Sequence, residues 1–155
     1  MKRVIISAVL ACMTCLTASS QEIYKEVVSL QNNYETIKND TTKSMDLRLV
    51  ATFKADAIYY LISKAAEDPT FTELELGEQT SAMVTFVNLY IKRLASVRKA
   101  AERTNIKNRF TAATTGNPLF NDVDKEVVYA YVGNDRFITQ FSIDTDWKKA
   151  LQTVR

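Results

Sequence analysis

The stretch from Met83 to Ala101 carries the strongest folding signal in the chain. At about 100° per residue its apolar side chains fall on one continuous stripe, and four cations fall on the opposite side. The stripe consists of Met83, Phe86, Val87, Tyr90, Leu94, Val97 and Ala101, and the cations are Lys92, Lys99, Arg103 and Lys107. The pattern predicts a long amphipathic helix from about Gln79, with one face to bury and one in water. The other segments are interpreted as partners for its apolar face.

The N-terminus has the parts of a secretory signal. Lys2 and Arg3 precede an uncharged run from Val4 to Leu16, and small residues follow at 17–20. The run is shorter than the roughly 20 residues that a transmembrane helix needs. We therefore predict a signal peptide over residues 1–20 and an exported protein, periplasmic or secreted, with no transmembrane span.

A second interpretation of the same segment is a lipoprotein. Residues 9–12 resemble a weak lipoprotein box, in which Cys12 would carry the lipid and anchor the protein. Cleavage between Ser20 and Gln21 is favoured, because the apolar run continues past Cys12 and ends in a small-residue site. Both cysteines would then leave with the signal, and no disulfide would support the mature chain.

Composition narrows the class of fold and partner. The chain has 20 Lys+Arg against 18 Asp+Glu, and removing Lys2 and Arg3 makes the two counts equal. This balance argues against a nucleic-acid partner. Only 3 glycines and 2 prolines occur, which favours helices over a turn-rich β protein. We predict an all-α fold for residues 21–155, a single-domain antiparallel bundle of about four to five helices, with room for a short extended or hairpin segment near the C-terminus.

The first helix is expected from about Gln21 to Asn39. Its apolar residues have the four-three spacing of a narrow seam: Ile23, Val27, Leu30, Tyr34 and Ile37. Such a seam suits a bundle helix or a dimerisation surface. Because it spans under three heptads, the bundle helix is favoured.

The second helix is expected from about Met45 to Ala66, after the polar residues 40–44, and ends before Pro69. Its stripe is Leu47, Val50, Ala51, Ile58, Leu61, Ile62 and Ala65, and Lys54 falls in the middle of it. A buried lysine could be a functional amine with a lowered pKa. The favoured alternative is that its stem lies along apolar surface while the ammonium reaches a carboxylate or water.

The segment between helices two and three is ambiguous. From Thr70 to Gly77 apolar and acidic residues alternate, as in a short strand, but the same residues could form a helical turn. Five acids lie between Glu67 and Glu78, where a following helix dipole favours negative charge. That role is preferred to a calcium site, since the spacing lacks the glycine bend of a calcium loop.

The second half of helix three is cationic. The favoured interpretation is a solvated face whose cations suit the C-terminal end of the helix dipole. The alternative is a candidate surface for an anionic ligand or an envelope protein, formed by Lys92, Lys99, Arg103 and Lys107. Since Ile106 and Phe110 fall on the cationic side, we expect the helix to bend or end near Thr104-Asn105, with a second piece reaching Ala113.

The C-terminal third begins with the clearest loop, at residues 114–118. Val127 to Val132 has strand composition, yet the acids before it and Gly133 after it favour a short helix, which we predict. The alternative is a hairpin that turns at Gly133-Asn134 and returns along Phe137–Ile143. Acids at 122, 124 and 126 mimic half of an EF-hand, but Val127 occupies the glycine position, so calcium is rejected.

The last elements are an extended segment, Phe137–Ile143, and a terminal helix. We expect Asp144 or Thr145 to cap that helix and Asp146 to lie in its first turn. The helix stripe is Trp147, Ala150, Leu151 and Val154. The only tryptophan is predicted to be a core anchor.

These runs carry a resemblance to a known group. The C-terminal part of the chain is similar to a signature of small secreted proteins of Bacteroides-type bacteria, over Asn117–Asp122, Asp124–Val132 and Thr139–Leu151. The run Phe86–Tyr90 fits the same group. A glutamine directly after the signal fits the same group. The resemblance implies a helical, exported, bacterial protein and transfers no functional site.

The residue types exclude several kinds of chemistry. With no histidine in the chain and no cysteine after the signal, the usual zinc sites, thiol nucleophiles and imidazole bases are absent, and we predict no cofactor or metal. Ser96 and Lys99 match the Ser-x-x-Lys pattern of penicillin-recognising enzymes without its companion sequences.

The favoured function is therefore a non-enzymatic binding or accessory protein of the cell envelope. The alternative is a hydrolase-like enzyme that uses carboxylates, such as Asp144 and Asp146, or a perturbed Lys54.

Overall fold

A computed structural model describes residues 20–122, 127–130 and 139–155 of the chain. These ranges form a helical bundle with a short extended segment near the C-terminus, which confirms the predicted fold class. The elements in chain order are α1 (Ser20–Asn39), α2 (Met45–Glu67), α3 (Glu73–Ser96), α4 (Ala100–Thr115), β1 (Val127–Ala130), β2 (Thr139–Ser142) and α5 (Trp147–Val154). The predicted signal lies almost wholly outside the described residues.

Short capped loops join the first three helices into an up-down arrangement. The Ser44 hydroxyl accepts a hydrogen bond from the Leu47 N–H at 3.3 Å and begins α2. The Thr72 hydroxyl does the same for the Glu75 N–H at 3.2 Å and begins α3. The ambiguous 70–77 segment is thus a cap followed by a first helical turn. The carboxylates of that turn lie at the positive end of the helix dipole, as expected.

The long helix expected from Gln79 past Ala101 is two helices. α3 ends at Ser96, Val97 is extended, and α4 starts at Ala100. The predicted break at Thr104-Asn105 was therefore placed too late, and Ala101 is exposed rather than part of the buried stripe. The physical reason is Phe110, which a straight helix would leave in water.

The break places Phe110 in the core. Its ring is fully buried, with centroids 4.9 Å from Phe86 and 5.2 Å from Tyr90. Burying an aromatic ring of this size stabilises the fold by about 2 kcal/mol, a gain that a continuous straight helix would forgo. Tertiary packing therefore decides where α3 ends.

The predicted helix over 127–132 is wrong for the residues that the structure describes. Val127–Ala130 form strand β1, which pairs antiparallel with β2 in the register Val127 to Ser142 and Ala130 to Thr139. Strand composition outweighs the helix-cap residues because the hairpin packs on the bundle, and a lone hairpin would be marginal. The expected extended segment is confirmed for residues 139–142. Residues 131–138, with the proposed turn, lie outside the description.

An aromatic core joins α2, α3, α4, β2 and α5. Its largest fully buried rings are Phe53, Phe86, Tyr90, Phe110, Phe141 and Trp147. Phe141 lies at the centre, with centroids 5.6 Å from Phe53 and 5.1 Å from Tyr90. Phe53 was missing from the predicted α2 stripe, and Leu47, which was included, is 46% exposed. α2 is buried on more than one side because it lies between α1 and the aromatic core.

Helix α1 covers the outer side of α2 and α3 through the predicted seam. Val27 is buried, and Ile23, Leu30 and Tyr34 are partly buried against the core. The seam thus packs within the chain, as expected of a bundle helix. Among residues 20–122, 127–130 and 139–155, the backbone of α1 comes close only to α2 and α3.

A buried carboxylate, Asp144, ties the loop after α4 to the start of α5. Its two oxygens accept hydrogen bonds from the backbone N–H groups of Leu119 (3.0 Å), Phe120 (2.8 Å) and Asp122 (2.9 Å). Asn121, in the same loop, has φ 54°, a conformation that asparagine tolerates better than most residues. The expected helix-capping role of Asp144 or Thr145 was wrong, because Asp146 is the N-cap and α5 begins at Trp147.

Replacing Asp144 should destabilise the protein strongly. Asp144→Ala leaves three partly buried backbone donors without their acceptor, and we expect a loss of about 2–4 kcal/mol in the free energy of unfolding. Asp144→Asn keeps one acceptor oxygen and should lose less. Urea unfolding followed by Trp147 fluorescence measures both.

The matched control is Asp68→Ala. Asp68 also accepts a backbone N–H, from Thr70 at 2.8 Å, but at a solvent-accessible turn where water can replace it. If both alanine variants lose the same stability, the hydrogen bonds to the Asp144 carboxylate are not what holds the 119–122 loop.

Candidate functional site

The four predicted anion-facing cations lie on both sides of the break between α3 and α4. Lys92 is on α3, while Lys99, Arg103 and Lys107 follow at four-residue intervals along α4, which places them on one helix face. Lys92 and Lys99 are exposed, and Arg103 and Lys107 are half-buried. The Lys99 ammonium lies 3.4 Å from the Glu102 carboxylate. A single cationic stripe was expected, but the structure places Lys92 on a separate helix from the other three.

Arg103 is also a structural residue. One nitrogen of its guanidinium donates to the Leu94 carbonyl at 2.6 Å and to the Val97 carbonyl at 3.2 Å. These are carbonyls at the C-terminal end of α3, where no helical partner is available and where the dipole favours a cation. Arg103 therefore stabilises the helix break while adding charge beside Lys99.

Two further arginines hold the end of α5. Arg93 donates to the Val154 carbonyl at 2.6 Å and lies over the Phe110 ring at 5.7 Å. Arg109 donates to the Thr153 carbonyl at 2.9 Å. Arg93 and Arg109 thus stabilise the end of a helix other than their own, which only the packing of α5 against α3 and α4 reveals.

Lys54 is buried, as its place on the stripe indicated. The side chain is 7% exposed, its ammonium donates to the Asn88 side-chain carbonyl at 2.8 Å, and it lies 5.1 Å from the centre of the Tyr34 ring. Burial lowers the pKa of Lys54 and raises the pKa of Tyr34. We expected a carboxylate or water as the partner of this ammonium, and the structure shows a neutral amide and an aromatic face.

Asp144 and Asp146, the candidate carboxylate pair, both hold the fold together. Asp144 binds the three backbone donors of the 119–122 loop, and Asp146 accepts the Lys149 N–H at 3.1 Å and the Gln79 amide at 3.1 Å. Burial acts to raise the pKa of Asp146, but the hydrogen bonds from Gln79 and Lys149 outweigh it and lower that pKa. Neither arrangement is that of a carboxylate open to substrate.

Gln79 is a buried polar residue whose role the sequence did not indicate. Its amide nitrogen donates to Glu75 at 2.9 Å and to Asp146, and its carbonyl accepts the Trp147 N–H at 2.7 Å. It therefore pairs the first backbone donor of α5 with α3. A glutamine at the start of an amphipathic helix gives no signal for this, since its partners lie 67 and 68 residues away.

The tryptophan lies in the core, and the Ser-x-x-Lys pattern spans the end of α3. Trp147 is fully buried and makes edge contacts with Phe53 (6.2 Å) and Phe86 (5.5 Å), which confirms the core anchor. Ser96 is the last residue of α3, and its hydroxyl donates to the Arg93 carbonyl at 2.8 Å. Lys99 lies beyond that helix end, so Ser96 and Lys99 do not share a helical turn as the enzyme pattern requires.

The acids that mimicked a calcium loop are only partly described. Asp122 lies 2.7 Å from the Lys64 ammonium and accepts the Tyr60 hydroxyl at 3.2 Å. Residues 124 and 126 lie outside the description. Within residues 20–122, 127–130 and 139–155, no group of three or more acidic, histidine or cysteine side chains could hold a metal ion, and no helix is long and apolar enough to cross a membrane.

Comparison of the chain with protein-family profiles, with curated proteins and with solved structures finds no match.

Replacing Lys54 with methionine should leave the protein at least as stable at pH 7. The folded-state pKa of Lys54 is lowered, so below it the charged form is buried at a cost that methionine avoids. The free-energy cost of burying this lysine falls as the pH rises above the folded-state pKa, because the folded protein then holds it neutral. The cost has disappeared above pH 10.5, the ordinary lysine pKa, where the unfolded chain also loses the proton. The stability advantage of Lys54→Met over wild type should therefore narrow at alkaline pH, as measured by urea midpoints at neutral pH and near pH 11.

The control for this experiment is Lys92→Met, at an exposed lysine. Its difference from wild type should not narrow with pH. If Lys54→Met is instead strongly destabilised at neutral pH, the contacts with Asn88 and Tyr34 outweigh desolvation.

Proposed function

We propose that this protein is a non-enzymatic binding or accessory protein of the bacterial cell envelope, exported through the signal at residues 1–20. Its cationic surface, formed by Lys92, Lys99, Arg103 and Lys107, binds an anionic partner. The proposal rests on the distribution of charged side chains. The buried ones contact groups of the fold, whereas Lys92 and Lys99 are exposed on the side of α3 and α4.

The buried charges support a binding protein over an enzyme. Among the described residues the buried charged side chains are Lys54, Asp144 and Asp146. Each is engaged with a backbone or side-chain group of the fold at 3.1 Å or less. A catalytic group must be able to touch the reacting atoms of a substrate. These three are occupied by structural partners.

The start of α4 adds to the cationic surface. Lys99 is the N-cap residue, its side chain makes no capping hydrogen bond, and it is 82% exposed. The first backbone N–H groups of a helix carry partial positive charge and attract anions. The lysine charge and the helix dipole therefore act in the same direction, with Glu102 as the opposing charge.

A reactive amine at Lys54 is the second candidate function. Its lowered pKa increases the neutral, nucleophilic form, and its hydrogen-bond partner Asn88 is an uncharged residue on the surface. A Lys54→Met protein that is more stable than wild type and loses neither activity nor binding removes this candidate.

Reversing charges on the cationic surface should weaken binding to an anionic polymer. Lys92→Glu combined with Lys99→Glu changes two exposed side chains that do not hold the backbone, unlike Arg103. We expect the double variant to elute from a heparin column at a clearly lower NaCl concentration, because two attractions to heparin sulfates become repulsions. Salt screens such exposed charges over about 10 Å at 0.1 M, so less salt should release the weaker complex.

The matched control is Lys25→Glu combined with Lys43→Glu, which changes the net charge equally on exposed positions of α1 and the next loop. It should elute close to wild type. Equal shifts in the two double variants would mean that heparin senses net charge alone, and no shift in either would mean that the α3–α4 face is only solvated surface.

The mature N-terminus tests the export proposal. In a Bacteroides-type host we expect the mass of the purified protein to correspond to a chain that starts at Gln21. A lipidated chain that starts at Cys12 would place the protein at a membrane surface instead, and an unprocessed N-terminus would contradict export.

A further inference from the structure

The first turn of α1 packs against α3, close to the bond where the signal is proposed to be cut. After a cut before Gln21, only Gln21 and Glu22 precede Ile23. The Ile23 side chain packs against the core, and a Cβ atom at Gly77 would lie 2.7 Å from its methyl carbon Cγ2. Glycine at this position of α3 therefore allows α1 to approach closely. The new amine would thus lie on the first turn of a packed helix.

A cut at this bond creates an unfavourable charge. Once Ser20 leaves with the signal, the α-amine of Gln21 lies at the N-terminal end of α1. That end of a helix carries partial positive charge, which disfavours an ammonium group. Glu22 is the acidic residue of the first turn and offsets part of this effect. A reaction that removes the charge of the amine would therefore stabilise the start of α1.

Gln21 itself carries the group that can remove this charge. The residue is exposed, and its neutral α-amine can attack the carbonyl carbon Cδ of its own side chain. A bond forms between the α-nitrogen and Cδ, and the bond between Cδ and the amide nitrogen breaks. A proton passes from the amine to that nitrogen, which leaves as ammonia. The product is pyroglutamate, a five-membered lactam with an uncharged nitrogen. The first N–H groups of a helix have no carbonyl partner within it, so the ring breaks no helical hydrogen bond.

We propose that Gln21 is a modification site, which is cyclised to pyroglutamate after the signal has been removed. The modification requires the export and cleavage proposed above, because Gln21 has no free amine in the uncut chain. It also protects the packing of α1. Aminopeptidases act on a free α-amine, and removal of three residues would delete the contact between Ile23 and Gly77.

The first experiment is mass spectrometry of the protein exported by a Bacteroides-type host. The N-terminal peptide should be lighter by one ammonia than a chain that starts with unmodified Gln21. An unmodified N-terminal glutamine would overturn the cyclisation and leave the export proposal intact, whereas an N-terminus at any other residue would overturn both. A chain that is freshly released at Gln21 from a cleavable tag and handled in parallel should keep its ammonia. An equal loss there would mean that handling forms the ring, and the proposal would fail.

Two variants locate the reacting side chain. Gln21→Met has a side chain of similar length without the amide, and Ala18 and Ser20 still precede the cut, so it should be exported with its full mass. Combining Gln21→Met with Glu22→Gln moves the glutamine one position along the chain, where its backbone nitrogen is in a peptide bond. Loss of ammonia from the N-terminal peptide of either variant would contradict the assignment to Gln21.

A stability measurement tests the consequence for α1 with a single sequence. The cyclised protein and the chain freshly released at Gln21 are compared by urea unfolding at about pH 6, where an α-amine is charged. Cyclisation should raise the urea midpoint, with a folding equilibrium constant about two- to fivefold larger. The difference should shrink in about 1 M NaCl, where charges are screened within about 3 Å. Equal midpoints, or a difference that salt does not reduce, would show that removing the charge does not stabilise α1.

Discussion

The carboxylate of Asp144 is the interaction on which the C-terminal half of the structure depends. By binding three backbone N–H groups of the loop after α4, it fixes that loop against the start of α5. The loop then presents Asp122 to Lys64 on α2, and the chain beyond Asp144 enters α5 with Trp147 directed into the core. Three partly buried backbone N–H groups would otherwise lack these acceptors, so the carboxylate stabilises the position of this loop against the start of α5.

Gln79 performs the matching function from the side of α3. Its side chain joins the N-cap residue of α5 and the first backbone N–H of that helix. Arg93 and Arg109 then satisfy carbonyls at the other end of α5. An eight-residue helix is too short to be stable alone, and here side chains from α3 and α4 satisfy both of its ends. The polar residues named here thus act mainly on the backbone of this protein.

On the cationic surface, residue spacing predicts which helix positions the cations occupy but not which groups they contact. The positions of Lys92, Lys99 and Lys107 on helices followed from periodicity. Periodicity could not predict that Arg103 donates to carbonyls at the end of α3. That contact depends on a helix break within a sequence whose pattern suggests one continuous helix. In the same way Lys54 was recognised as anomalous from its place among apolar residues, but its partner Asn88 is 34 positions away on another helix.

The sequence by itself determined the helical class, the course of α1 and α2 to within a residue or two, and the burial of the α3 stripe as far as Leu94. These follow from local periodicity and from capping residues such as Ser44, whose partners are a few positions away. Only the tertiary structure decided that α3 ends at Ser96, that residues 127–130 form a strand, and that Asp144 binds a loop instead of capping a helix. In each of these cases the deciding free energy is the burial of a side chain or backbone donor against a distant segment, and local sequence does not record which segment that is.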